Sequence, residues 1–199
     1  MSRLARYAPL TGAMFAILSA ATIIITPASP SSSASGATVI SFYEAHGSTE
    51  QKSVLISMAA LVFFMFFAGT LRTHLRTQTS GSLPALSLAG ATLFTAGLSL
   101  SAGFAFALAD VPTKIQAATA QTLNMLDEDV FFTMEIGIAV FTLATGLAIL
   151  CSGALPKWLG WLAIVIGLFT LVPPLFAVGL IGTSFWSGGV LPAPVIVDV

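Results

Sequence analysis

The run Leu61-Val62-Phe63-Phe64-Met65-Phe66-Phe67 decides the fold class. It sits within nineteen uncharged residues, 53–71, bounded by Lys52 and Arg72. Crossing about 30 Å of hydrocarbon takes roughly 20 apolar residues in a helix. Inside lipid the backbone must satisfy its own polar groups, which leaves helices or a closed barrel. Barrel strands alternate apolar and polar residues, and seven apolar residues in succession do not. This stretch therefore reads as a transmembrane helix.

Charged residues punctuate the rest of the chain in the same way. A first span is expected over 9–27, after Arg3 and Arg6, and 53–71 is the second. A third runs over 83–109, closed by Asp110, and a fourth over 130–152, interrupted only by Glu135. The fifth covers 156–186; at about 1.5 Å per residue it is roughly 46 Å long, too long for one straight crossing. A kink at Pro173-Pro174 is expected, with Leu175–Trp186 tilted or lying at the surface. Arginines ahead of an apolar run also resemble a secretory signal, but the first run exceeds the roughly 7–15 residues of such a segment. It is read as a retained span. The fold expected is a single all-α domain, a bundle of about five transmembrane helices.

Composition agrees. Of 199 residues 56% are apolar and 8% charged, against about a quarter charged in soluble domains. So few charges cannot cover a water-facing surface of this size, so lipid must. A net charge of −1 argues against nucleic-acid binding, which usually needs a basic patch. The single cysteine, Cys151, excludes an internal disulfide and a multi-cysteine metal site. His46 and His74 are too few for a histidine-rich one. No metal site is expected and no cofactor is nominated.

Cytoplasmic loops are enriched in Lys and Arg. With the N-terminus inside, Arg3, Arg6, Arg72, Arg76 and Lys157 fall on the inner side, and Lys52 and Lys114 outside. Localisation in a bacterial cytoplasmic membrane, N-terminus in and C-terminus out, follows as the expectation. Glu44, Glu50, Asp110, Asp127, Glu128, Asp129 and Asp198 then lie outside. Tyr7, Trp158 and Trp161 mark inner interfaces, Tyr43 and Trp186 outer ones.

The two outer loops, 28–52 and 110–129, are each expected to carry a short amphipathic helix. In the first, Val39, Ile40, Phe42, Tyr43 and Ala45 suggest a helix over Thr38–His46, stopped by Gly47. Ser48 or Thr49 would then cap the second span, with Glu50 in its first turn. In the second, Asp110 is a candidate N-cap with Pro112 in the first turn. Ile115, Ala118, Thr122 and Met125 or Leu126 recur at helical intervals, as a separate helix or as an extension of the fourth span. Both loop helices are read as covers over the outer mouth of the bundle.

Glu135 is the leading candidate for chemistry, because an ionisable group within a span is costly and by default functional. Glu128, Glu135 and Thr142 are spaced by seven and share one helix face, a stripe able to admit water or protons. The structural alternative is a hydrogen bond from Glu135 to Thr95, Ser99 or Ser101 on the third span. Asp127-Glu128-Asp129 reads as a solvated helix edge, since consecutive helical residues diverge and do not form a calcium loop. Arg72, His74 and Arg76 read as a topology anchor, being fewer than a polybasic lipid site needs. Glu44 and His46, at i and i+2, do not face one another. Cys151 reads as a packing residue rather than an acylation site. Ala89, Ala96 and Gly103, seven apart, and Gly97 with Ser101, four apart, suit close helix packing inside the bundle or in a homo-oligomer.

No phosphate loop, nucleophile elbow or zinc-binding helix appears. The leading functional expectation is a non-catalytic membrane protein, an accessory subunit or a binder of a small or lipid-like ligand. Membrane lipids, a protein partner or a second copy would be its partners. The alternatives are a small transporter or proton-coupled permease using Glu135, and a membrane-embedded enzyme.

Several segments also carry a resemblance: Ser41-Phe42-Tyr43-Glu44-Ala45-His46, then Leu71-Arg72-Thr73-His74-Leu75-Arg76 closing a Phe-rich span, then Gly153-Ala154-Leu155-Pro156-Lys157-Trp158-Leu159-Gly160-Trp161-Leu162. Together they resemble a broad group of small integral membrane proteins of bacteria, common in actinobacteria. That resemblance implies a multi-pass helical protein and assigns no functional residues.

Overall fold

The computed structural model describes residues 8–79 and 81–172. Five α-helices and one 3-10 turn make up its regular structure, with no strand among the described residues. They are α1 (Ala8–Ile25), α2 (Gly36–Gln78), α3 (Leu83–Asp110), α4 (Ala117–Ser152) and α5 (Lys157–Phe169), with the 3-10 turn over Pro112–Lys114. Three of them, α2, α3 and α4, are long and apolar enough to cross a membrane. The Pro173-Pro174 kink and the 175–186 segment lie outside the described residues, as do Arg3, Arg6, Tyr7 and Asp198.

Successive helices pack antiparallel. Gly12 on α1 meets Phe67 of α2 while Thr26, just past α1, bonds to Ser53, so the two run in opposite directions. Glycine fixes the closest approach, between α3 and α4. A Cβ on Gly90 would lie 2.4 Å from the backbone nitrogen of Phe141, and one on Gly137 2.3 Å from that of Phe94. Without those Cβ atoms the two backbones come into direct contact, the mode that lipid favours because apolar side chains gain little by leaving it. Gly146 and Gly160 do the same for α4 against α5.

The small residues that pack are thus Gly90, Gly97 and Gly137. The stripe Ala89, Ala96 and Gly103 points outward instead and takes no part in the internal packing expected of it. Phe64 is the centre of the core, its ring 4.9 Å from that of Phe15, 5.1 Å from Phe94 and 5.2 Å from Phe141. Large apolar side chains such as Ile24, Leu55, Val62, Phe66, Trp161 and Phe169 face outward. Soluble proteins rarely leave apolar surface uncovered on that scale.

The separate amphipathic helix expected in the first loop is not present. Residues 36–78 form one helix of 43 residues, about 64 Å long and roughly twice the hydrocarbon thickness. Its N-cap is Ser35, whose hydroxyl accepts from the Thr38 backbone N–H at 3.2 Å, and not Ser48 or Thr49. Gly47 does not stop it. It lies in the helix interior, where a Cβ would stand 2.9 Å from the Ala109 carbonyl oxygen, so its role is to let α2 cross the end of α3. Asp110 is the last residue of α3 rather than an N-cap, and α4 runs unbroken from Ala117, so the extension reading holds for the second loop.

The overhanging turns of α2, α3 and α4 share a small core of Val39, Tyr43, Leu108, Ala109 and Ala120. Tyr43, expected at an interface, is 2% exposed at its centre. The overhanging turns pack on one another at that end of the bundle, as long helices rather than as separate ones.

Candidate functional site

A cavity of about 580 Å³ opens between α1, α2, α3 and α4, at the end carrying the 26–35 and 111–116 loops. From the level of Glu50 to that of Leu61 it descends eleven residues of α2, about 16 Å. Its head is polar: Glu50 and Ser53 from α2, Asp127 from α4, Ser101 from α3, with Thr26 and Ser29 following α1. Its lower part is apolar, formed by Phe15, Leu61, Phe94, Leu98 and Met134. Phe15 and Phe94 of this lower part also pack on Phe64 in the core. Phe131 and Ile23 line it too and are exposed, so among the described residues the cleft also opens sideways between α4 and α1.

Helical periodicity places these residues. Tyr43, Glu50 and Ser57 are spaced by seven on α2 and all line the cleft. On α4, Asp127, Phe131 and Met134 stand at i, i+4 and i+7 and do likewise. Ser101 donates a hydrogen bond to Asp127 Oδ1 across the α3–α4 interface. Thr26 and Ser53 hydroxyls bond to each other and tie the end of α1 to α2.

Glu50 is 4% exposed, and its Oε1 is buried with no hydrogen-bond partner. A desolvated polar atom without a partner costs about 1–3 kcal/mol, more if charged. Tyr43 and Glu50 precede the stretch 53–71, and Asp127 the stretch 130–152, both of which read as spans. Burial pushes the Glu50 carboxyl above the ordinary carboxylate range; His46 pulls it back and Asp127 adds to the rise. Burial also raises Asp127, opposed by the Ser101 hydrogen bond and reinforced by Glu128. The Tyr43 phenol is pushed up by burial and then by the charges of Asp127 and Glu50, so it stays neutral and able to donate.

The candidates named from sequence fall elsewhere. Glu128, Glu135 and Thr142 share one face of α4, beside the face that packs on α3, and none of them lines the cleft. Glu135 makes no hydrogen bond to α3: Thr95 donates to its own helix at Ala91 O, and Ser101 to Asp127. Glu135 Oε2 and Glu128 Oε2 are buried without partners. Thr142 donates to Ile138 O at 2.8 Å and lies against Gly167 of α5. Ser99 is half-buried on α3 and does not line the cleft.

Of the acidic triplet only Asp129 is exposed; Asp127 lines the cleft, so the triplet is not a solvated edge throughout. Among the described residues no group of three or more His, Cys, Asp or Glu side chains is placed to hold a metal ion.

These features define a helical bundle with three membrane-length helices and an amphiphilic cleft. No family model, curated protein or solved structure matches the chain.

Proposed function

We propose that this chain is a multi-pass protein of a bacterial cytoplasmic membrane that binds a small amphiphilic ligand in the cleft beneath its outer end, without catalysis. The supporting observation is the cleft itself, a cavity of about 580 Å³ with carboxyls and hydroxyls at its head and aromatic and aliphatic side chains below. Ligand pockets commonly span about 300–1,000 Å³ and combine an apolar lining with a few converging polar groups. The sideways opening suits a ligand that arrives through lipid. Orientation with the cleft outward follows from the distribution of Lys and Arg.

The test is extraction of the protein from native membranes, followed by mass spectrometry of the molecules it retains. A parallel Ala105→Phe variant fills the cleft from α3. The reading expects a defined organic molecule held by the parent protein and lost from a folded variant. The same bulk lipids on both would contradict it.

A second reading, proton-coupled transport, is favoured by the unpartnered Glu135 Oε2 on the face it shares with Glu128. It expects Glu135→Gln to abolish flux in proteoliposomes while the protein stays folded, and unchanged flux would remove Glu135 from the mechanism.

A further inference from the structure

We propose that the head of the cleft recognises a protonated organic amine whose apolar body occupies the space below. This rests on reading the cleft as a ligand site and specifies the chemistry of its occupant.

Among the described residues the charged side chains lining the cleft are Glu50 and Asp127, both acidic, with no Lys, Arg or His. They come from α2 and α4 and converge on one opening. Glu50 is almost wholly buried, yet its Oε1 has no donor. The neighbouring hydroxyls do not supply one. Thr22 donates to Leu18 O at 2.9 Å and Thr26 to Thr22 O at 2.7 Å. With the Thr26 hydrogen committed there, Ser53 is the donor in their pair. Ser101 donates to Asp127. Each of these four hydroxyls spends its hydrogen within the protein and offers only lone pairs. The head therefore presents more acceptors than donors, the neutral Tyr43 phenol being a donor that also lines it.

That imbalance selects the ligand. An anionic head would meet two carboxyls and no balancing cation. A hard divalent metal ion wants six or more oxygen ligands for calcium, or an octahedral shell for magnesium, and two carboxyls from separate helices do not provide that. A protonated amine brings N–H donors and a positive charge together. Charge-assisted hydrogen bonds of this kind are roughly twice as strong as neutral ones. Below the head, Phe15, Leu61, Phe94 and Met134 offer an apolar body the contacts that hold drug-sized ligands.

The experiment measures binding of phenylbutylamine, phenylbutanol and phenylbutyrate to purified full-length protein in detergent. The three probes share one body and differ in the charge of the head. The amine is expected to bind at least about tenfold more tightly than the alcohol, a ratio within reach of one charge-assisted hydrogen bond, and the carboxylate to bind weakest. Glu50→Gln should remove the preference for the amine over the alcohol. Asp127→Asn, which keeps an acceptor for Ser101, provides the same comparison should Glu50→Gln fail to fold. Equal binding of amine and alcohol, or an amine preference that survives in the folded variants, overturns the amine assignment and leaves the cleft as an amphiphile site. No binding of any of the three overturns the assignment as well. The cleft reading itself then stands or falls on the molecule retained by the parent and lost from Ala105→Phe.

Discussion

Ser101 on α3 donates its hydroxyl hydrogen to the carboxylate of Asp127 on α4, at the head of the cleft. The bond ties this acidic side chain to α3. It also completes a contact line that continues through Gly97 against Met134 and Gly90 against Phe141. Helix packing and the chemistry of the cleft are thus set by one interface.

Ser101→Ala leaves Asp127 Oδ1 without its donor. A loss of about 1–3 kcal/mol is expected, the range for a buried acceptor deprived of its partner. Thermal unfolding in detergent should show a lower Tm. In a double-mutant cycle with Asp127→Ala, which removes the acceptor, the two effects should be less than additive.

Gly137→Ala tests the glycine contacts. Its new Cβ would fall on the backbone of Phe94, which cannot rotate away, so a cost of about 1–3 kcal/mol is expected, as for other overpacked cores. Gly103→Ala on the outward face of α3 meets nothing within 4 Å and should leave Tm unchanged or slightly raised. Equal losses at both sites would mean that α3 and α4 do not meet as described.

Much of this bundle could be read from the sequence. The first and third spans, expected over 9–27 and 83–109, are helices over Ala8–Ile25 and Leu83–Asp110. Charges and prolines mark the depth at which an apolar segment ends, and there the chain also turns. The same marks misled in α2 and α4. Lys52, Glu50 and Asp129 bound the apolar stretches, yet both helices continue past them, because a helix leaving the hydrocarbon has no reason to unwind when other helices support it. Gly47 looked like a terminator and is a contact point.

The site suffered from the same error. Once α2 is read as continuous, Tyr43, Glu50 and Ser57 fall on one face with heptad spacing, a signal present in the sequence but split across an assumed loop. The pairing of Ser101 with Asp127 depends on the register of α3 against α4, which glycine contacts set and no local pattern shows.

Gly36→Ala probes the overhang of α2. A Cβ there would lie 1.8 Å from the Ala117 carbonyl oxygen, so α2 and α4 must separate at that end. Ser35→Ala removes only the cap and should cost about 1 kcal/mol. The glycine variant is expected to be the more damaging, and to raise hydrogen exchange in residues 36–46 and 117–124 while leaving 53–71 protected.

Acidity should act through Glu50. A carboxyl whose folded pKa is raised holds its proton more tightly folded than unfolded. Its contribution is full below the ordinary carboxylate pKa of about 4 and is lost as pH rises through the raised folded value. The groups that face Glu50 and Asp127 are His46 and Tyr43 on α2 and Glu128 on α4; α1 carries no charged side chain. Glu50→Gln imitates the protonated form at every pH. Its Tm should gain on that of the parent protein as pH rises from the acidic side, in a titration of both.

Thiol accessibility bears most directly on the proposal of a lipid-embedded bundle whose cleft opens outward. In a Cys151→Ala background, Ser57→Cys places a thiol within the cleft and Thr77→Cys places one at the opposite end of α2. A small cationic, membrane-impermeant methanethiosulfonate applied to intact cells should modify Ser57→Cys, and should reach Thr77→Cys only after permeabilisation. Modification of Thr77→Cys in intact cells, or a Ser57→Cys thiol that reacts only once the membrane is opened, would contradict it.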